Sequence, residues 1–488
     1  MKKIFNSLFF IIITYLLYNL FRYNAKINKT IVYVIAVIYI IAIAFLYKKI
    51  DKLKVNKYMF MVMFIIMLLL QIMAGYVFKV FPSWDFGVIY REALKSNELI
   101  NDVKYFSIYP NNIPTLMILK LIFSVVNLLK GKFFIESAIG LNIIAIDVSI
   151  IFSVLIINKV YGKNKAFFSL IFILFTPLIY LSVPIFYTDT LSMPFPIIAI
   201  YLYILFRNSE GKRKKIIFSF SIAFITLLGM NIKPTVVIVY IAIIIYDIFI
   251  NKYEKKREII YPILSIVLIF ALINIEKFIF KVVFSDYIEQ IENNSFTITQ
   301  HLVMGLHNDG KFNQKDYEYT LSFIGRAEKT RGDIEKIKEY FGKILPLENA
   351  IKFFTHKEVL LWIDGNYELN IFLAHGYYRT GTIQSLIYKN NTIYLYISQV
   401  QRIALIILMI IACFNKNKAK NEEIINYISR IAILGIIIFF AFWEINSRYL
   451  INYFPVFILI QIVGINEVNK LAENLKEKCI KTKNNILN

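Results

Sequence analysis

Residues 57–93 read KYMFMVMFIIMLLLQIMAGYVFKVFPSWDFGVIYREA. Between Lys57 and Lys79 there is no charged side chain, and the one amide is Gln71. A run of that length matches the roughly 20 residues a helix needs to cross a hydrocarbon core of about 30 Å. Immediately beyond it Phe81, Trp84 and Phe86 surround Asp85. Aromatic rings settle at headgroup depth. This stretch therefore predicts a membrane helix that delivers an acidic residue to the membrane surface.

The rest of the chain repeats the first half of that pattern. Of 488 residues, 58% belong to the apolar set and 18% are charged, against about 45–50% and about 25% in a soluble domain. The apolar blocks fall near 8–21, 30–47, 58–80, 112–130, 134–158, 166–184, 190–206, 216–230, 233–250, 259–275, 393–414, 424–443 and 449–467. A soluble enzyme, a disordered chain and a disulfide-stapled secreted domain are excluded. Cys413 lies in an apolar block and Cys479 in a basic tail, which gives neither a disulfide framework nor a CxxC site. The N-terminal Met1-Lys2-Lys3 and the apolar run after it resemble a signal peptide without a small-residue cleavage site, so an uncleaved span is expected. The net charge of +22 is read as topology rather than as a nucleic-acid partner, because the basic runs punctuate the apolar blocks.

Basic loops mark the cytoplasmic side. Lys48–Lys57, Arg207–Lys215, Lys252–Arg257, Lys416–Lys420 and the tail from Lys470 are placed there, with both termini. Four stretches then lie outside: 81–111, 185–189, about 276–392, and 444–448. Thirteen blocks cannot return the chain to its starting side, so one does not cross. Block 112–130, with Lys120 at its centre and Pro110 and Pro114 at its entrance, is the first choice for an interfacial helix; 166–184, with Pro177 and Pro184, is the second. The expected fold is an all-α polytopic membrane protein of about 12 transmembrane helices, with juxtamembrane helices and one large extracytoplasmic loop domain. The divisions are a two-span extension (1–57), a transmembrane module (58–275) with acidic loop 81–111, the loop domain (276–392), C-terminal spans (393–467) and a basic tail (468–488). Within the loop, Ile334, Ile337, Tyr340 and Phe341 have amphipathic helical spacing.

Polar residues gather at the external ends of spans. Asp85, sheltered by Trp84 and Phe86, is a carboxylate that can act as a base; the structural alternative is a helix cap. Tyr90, Arg91 and Glu92 follow it. Tyr109-Pro110-Asn111-Asn112-Ile113-Pro114 makes a rigid polar corner. Tyr187-Thr188-Asp189 offers a second carboxylate, with an N-cap as its alternative. Lys233 stands in the corner Asn231-Ile232-Lys233-Pro234, against the positive-inside trend, so it wants an anion or else snorkels. Trp443-Glu444-Ile445-Asn446-Ser447-Arg448-Tyr449 brings a guanidinium fork suited to phosphate. The long loop holds His301, His307, His356 and His375, with Arg379 nearby. Their spacing matches no zinc motif, and no P-loop, GxGxxG or GxSxG is present.

These motifs, in this order and on one side, resemble the GT-C superfamily of polytopic glycosyltransferases. The likeness is to a Gram-positive branch related to the dolichyl-phosphate-mannose protein mannosyltransferases and the lipid-A aminoarabinose transferases. It rests on Trp84-Asp85, Tyr90-Arg91, the Tyr-Pro-Asn-Asn corner, Tyr187-Thr188-Asp189, His301–Leu306 and Glu444–Tyr449. Two features depart from better-known relatives: two additional spans precede the acidic loop, and Asp85 lacks an acidic neighbour.

The resemblance implies an enzyme of the bacterial cytoplasmic membrane that transfers a sugar, with inversion, from a polyprenyl-phosphate donor to a cell-envelope acceptor. Asp85 and Asp189 would be catalytic, with Asp85 the base. Arg91, Lys233, Arg379 and Arg448 would hold the donor phosphate. Trp84, Tyr90, Tyr109, Asn111, Asn112, Tyr187, His301, Glu444 and Tyr449 would bind substrate. No cofactor is certain, and a divalent cation is possible. The partners are the donor lipid, the acceptor and the bilayer. Two other readings stand beside it. One is a lipid-linked glycan polymerase or ligase, which would use paired external arginines. The other is a transporter or flippase, for which Asp147 near Asn142 is the mid-span candidate.

Overall fold

The structure, a computed structural model, describes residues 2–23, 27–95, 98–251, 256–377, 381–388, 392–415 and 419–487. Among these residues every regular element is helical, and one isolated bridge pairs Val80 with Gly376. Among the described residues, eleven helices are long and apolar enough to cross a membrane. In lipid only a helix or a closed barrel satisfies its own backbone polar groups, so these blocks become helices despite their many β-branched residues. Ile263, Val267, Phe270 and Phe278 of the helix Ile260–Val283 are exposed, as a lipid-facing surface requires.

Ion pairs define the two ends of the bundle. Lys2 with Glu423 (2.8 Å), Lys48 with Glu473 (2.7 Å) and Lys470 with Glu422 (3.4 Å) gather the first and last helices at one end. At the other end Lys79 pairs with Glu136, and the Tyr15 hydroxyl meets that of Thr355 at 3.0 Å.

These ties decide how each block runs. The helix pair Pro110–Asn112 and Ile113–Leu128 counts among the eleven by length and composition, yet both of its ends lie far from the chain termini. It follows the acidic loop, and after it Phe134–Tyr161 begins beside Lys79, through Glu136. Midway along it, Lys120 Nζ donates to the carbonyls of Lys95 (2.9 Å) and Glu98 (2.6 Å), both in the acidic loop. These bonds tie the middle of this helix to the acidic loop.

Block 166–184 forms two helical pieces, Lys163–Leu174 and Leu178–Leu181. It starts where Lys165 Nζ meets Asp51 Oδ2 (2.8 Å), near Lys48, and ends at Tyr187. Pro177 lacks an N–H and disfavours helix at Thr176. The freed Phe175 carbonyl is taken by Gln401 Nε2 at 3.0 Å. Pro234–Ile250 is likewise short and interrupted. The Lys2–Glu423 and Lys470–Glu422 pairs hold the start of the first helix and the last helix at the same end of the bundle.

The helices placed in the two-span extension are not peripheral. Lys29–Lys49 packs on Thr392–Ile411 and on Phe454–Leu487. The segment read as a tail from 468 continues that last helix to Leu487. Beyond Val283, the helices Ile298–Leu306, Arg326–Ile344 and Leu347–Ile363 build a second small core on Val303, Leu306, Tyr340 and Ile344. Ile337 and Phe341 pack against it as their spacing predicts, whereas Ile334 stays exposed. Backbone bonds from Phe81 N to His375 O and from Tyr377 N to Lys79 O, both 2.9 Å, fasten this segment to the acidic loop.

Candidate functional site

Three elements far apart in the sequence meet at the bundle end opposite the termini. The first is the helix Trp84–Ala93. Trp84 enters it at φ +48°, a costly conformation for a bulky residue. Its ring packs edge-on to Phe372 (5.0 Å) and His375 (4.8 Å). A Cβ at Gly87 would meet the Pro82 carbonyl at 2.5 Å, so this turn admits only glycine there. Asp85 is half-buried. Its Oδ1 accepts from the Tyr105 hydroxyl at 2.9 Å and its Oδ2 from the Tyr187 hydroxyl at 3.4 Å. Asn112 Nδ2 in turn donates to the Tyr105 oxygen at 2.8 Å. Asp85 does not cap the helix; Ser83 holds the cap position.

The second element is the short turn of helix Thr188–Leu191. The buried Asp189 carboxylate receives Lys233 Nζ on Oδ1 and Arg448 Nη1 on Oδ2, the latter at 2.7 Å. The N-cap expected of Asp189 is absent, because Tyr187 occupies that position. Lys233 does not snorkel; it is buried and paired. Aromatic faces surround the cations. The Arg448 guanidinium lies 5.2 Å from the Tyr187 ring and 5.1 Å from that of Tyr449, and Lys233 Nζ lies 4.7 Å from Tyr449. Two cations against one carboxylate leave a net positive charge among π-faces.

The third element runs from Trp443 to Tyr449. The Tyr449 hydroxyl donates to Glu444 Oε1 at 3.3 Å. His301 stacks on Trp443 with centroids 4.7 Å apart, and its Nδ1 is 3.8 Å from Glu444 Oε2. The buried Lys357 holds this arrangement together. Its Nζ donates to the carbonyls of Gly305, Ala441 (2.9 Å) and Trp443 (3.0 Å), one for each ammonium hydrogen. A Cβ at Gly305 would meet the Phe442 carbonyl at 2.1 Å, which explains the glycine in His301-Leu302-Val303-Met304-Gly305. Tyr109 stands between Asp85 and Glu444. Burial first, then Tyr317, Asp85 and Glu444, hold its hydroxyl well above its ordinary pKa, so it stays a protonated donor.

Asp85, Tyr109, Asn112, Tyr187, Asp189, Lys233, His301, Glu444, Arg448 and Tyr449 therefore form one connected cluster, with Trp84 at its edge. Three of the expected residues stand apart. Tyr90 packs on Phe123 (5.7 Å) and Phe186 (5.8 Å). Arg91, on the turn beyond it, is exposed. Asn111 is exposed and touches the cluster only through Asn112, at 3.4 Å. A helix of ten residues places 90 and 91 on a different face from 85. Arg379 lies outside the described residues. Three participants were not foreseen, and one of them is Lys357 of the long segment. Tyr105 is one turn before Tyr109, and that spacing was its signal. Phe372 carries no local signal.

A small crevice opens between Tyr187, Asp189, Leu369, Phe372 and Arg448. Among the described residues no three His, Cys, Asp or Glu side chains converge to hold a metal ion. Chemically, the cluster offers a carboxylate with unused lone pairs, a cationic pair able to receive an anion, and aromatic faces between them.

Residues 1–468 match the profile of a family described as "Conserved hypothetical integral membrane protein". Neither the curated proteins nor the solved structures give a match.

Proposed function

Because the chain belongs to that integral membrane family, whose description names no chemistry, we propose its function from the cluster itself: transfer of a sugar, with inversion, from a polyprenyl-phosphate donor to a cell-envelope acceptor. The observation that carries the reading is the placement of Asp85 and of the Asp189–Lys233–Arg448 group on the two sides of one tyrosine, Tyr187. A displacement at an anomeric carbon needs those two functions a few ångströms apart. Asp85 takes the proton of the acceptor hydroxyl. The acceptor oxygen forms the new bond to the anomeric carbon as the bond to the phosphate oxygen breaks. The electron pair leaves on the lipid phosphate, whose added charge the remaining donors of Arg448 and Lys233 receive. Asp189 orients those two cations, since both of its oxygens are already engaged. The likeness to the GT-C superfamily agrees with this assignment.

In this reading the face carrying the termini is cytoplasmic, as its lysines require, and the cluster lies on the outer side. Trp84 and Tyr109 face the substrates, and His301 and Glu444 line the acceptor side. The test compares the envelope glycans of a strain lacking the protein with those of the same strain restored. It is paired with release of polyprenyl phosphate by the purified protein in nanodiscs. Unchanged glycans together with no release would remove the reading. A transporter is the second reading, favoured by Asp147, which meets Gln71 across two helices inside the bundle. Substrate uptake into proteoliposomes without any transfer product would select it.

A further inference from the structure

A larger cavity lies deeper in the bundle, behind the break at Thr176–Pro177. It comprises ≈ 540 Å³ of space between atoms, its open mouth included. Its walls come from the interrupted passage, from the turn Gly365–Tyr367, and from the helices carrying Ser398, Arg402 and Gln461. Apolar side chains such as Phe172, Leu405 and Phe457 share its lining with hydroxyls, amides and one guanidinium, and among the described residues no carboxylate lines it.

Arg402 is 2% exposed and sits midway along Thr392–Ile411. Its Nη2 donates to the Asp364 carbonyl at 3.1 Å, and its plane lies 4.0 Å from the Tyr367 ring. Its Nη1 has no acceptor. The Asp364 carboxylate is engaged elsewhere, by the backbone N–H groups of Asn366 (3.0 Å) and Glu368 (2.8 Å). On the same wall Asn366 Oδ1 is also buried without a partner. A buried guanidinium with an unused donor is costly at membrane depth, and such residues mark ligand sites. Irregular backbone at that depth persists where it lines a cavity. Leu369 borders both this cavity and the Asp189–Arg448 crevice, so the two are neighbours.

We propose that this cavity is a second anion seat, in which Arg402 Nη1 binds one small oxyanion, a phosphate or carboxylate group, while the neighbouring amides meet its remaining polar atoms. The group arrives either free or as the head of an anionic lipid. The seat does not depend on the transfer reading, because it uses none of that cluster's cations.

The test places the full-length protein in nanodiscs of zwitterionic lipid. Inorganic phosphate is titrated in one arm, and an anionic phospholipid is added at graded fractions in the other. Thermal midpoints are read in both. A saturable rise with phosphate identifies a free anion, and a rise with the lipid alone identifies a head group. In either case Arg402→Gln should weaken the effect at least about tenfold, whereas Arg448→Gln, which removes a phosphate donor of the first cluster, should leave a residual rise that Arg402→Gln abolishes. If Arg402→Gln does not fold, Gln461→Leu and a map of the native protein with phosphate replace it; oxyanion density beside Nη1 is then expected. No rise in either arm, an equal rise in Arg402→Gln, a rise lost in Arg448→Gln, or density for water alone each overturns the proposal.

Discussion

The Tyr105 hydroxyl reaches Asp85 Oδ1 at 2.9 Å while accepting from Asn112 at 2.8 Å. Asn112 thus orients the tyrosine proton toward the carboxylate, and Asp85 is held in one rotamer with lone pairs to spare. If Asp85 is the base, Asp85→Asn removes proton abstraction but keeps shape and volume. Sugar transfer in the nanodisc assay should fall by about 10²-fold or more, with membrane abundance unchanged. Tyr105→Phe should cost less, about tenfold, because the base survives and only its orientation loosens. Activity retained in Asp85→Asn would take the base assignment away.

Asp189 is expected to act through stability before it acts through chemistry. Asp189→Asn leaves Lys233 and Arg448 buried side by side without a counter-ion. Breaking a buried pair in this way costs about 3–5 kcal/mol. The double variant Asp189→Asn/Lys233→Met removes one of the stranded charges and should recover part of that loss. Thermal unfolding in detergent reads both. Equal midpoints for the single and double variants would show that Lys233 is not paired as described.

The fold was legible because a charge-free run and a bilayer thickness are commensurate. Hydropathy showed where helices lie but not which of them pass through. Pro110–Leu128 is as apolar as a span, and Lys120, tied at mid-helix to the acidic loop, is the feature that sets it apart from the other spans. The cluster was legible in its charged members, because Asp85, Asp189, Lys233 and Arg448 all stand against the local trend of their surroundings. Tyr90 and Arg91 were misplaced because helical phase, not proximity in sequence, decides which side chains share a face. Phe372 was out of reach, since it joins the cluster only through tertiary folding of the long loop.

Glu358 makes the long segment sensitive to pH. It lies on Leu347–Ile363, outside the spans, and its carboxylate is fully buried, with the Trp362 side chain beside it. Burial pushes its pKa up to about 8, against smaller opposing pulls from Lys357 and from the Trp362 side chain. Between about 4.5, the value in an unfolded chain, and about 8, the folded protein holds a proton that the unfolded one has released. Stability therefore falls as pH rises through that window and levels off above it. Thermal midpoints across pH 5–9 should show this slope, and Glu358→Gln should flatten it and raise the midpoint at the alkaline end. A slope unchanged in Glu358→Gln would assign it to another group.

The route of the chain at Pro110–Leu128 has a direct check. If this helix lies across the bundle end, residues on its two sides are reached from the same side of the membrane. Lys95 before it and Lys132 after it are exposed, and Lys163 lies at the opposite end, next to the contacts that Asn164 makes with Asp51 and Leu53. In a background with Cys413→Ser and Cys479→Ser, single cysteines at 95, 132 and 163 can be labelled in intact cells with an impermeant maleimide. Labelling at 95 and 132 with protection at 163 is expected. Protection at 132 alone would mean that the helix crosses, and the following spans would then run the other way. That outcome would also separate Asp85 from Asp189 by the thickness of the bilayer, which contradicts their shared contact with Tyr187 and Arg448. The labelling pattern therefore tests the topology and the integrity of the cluster together.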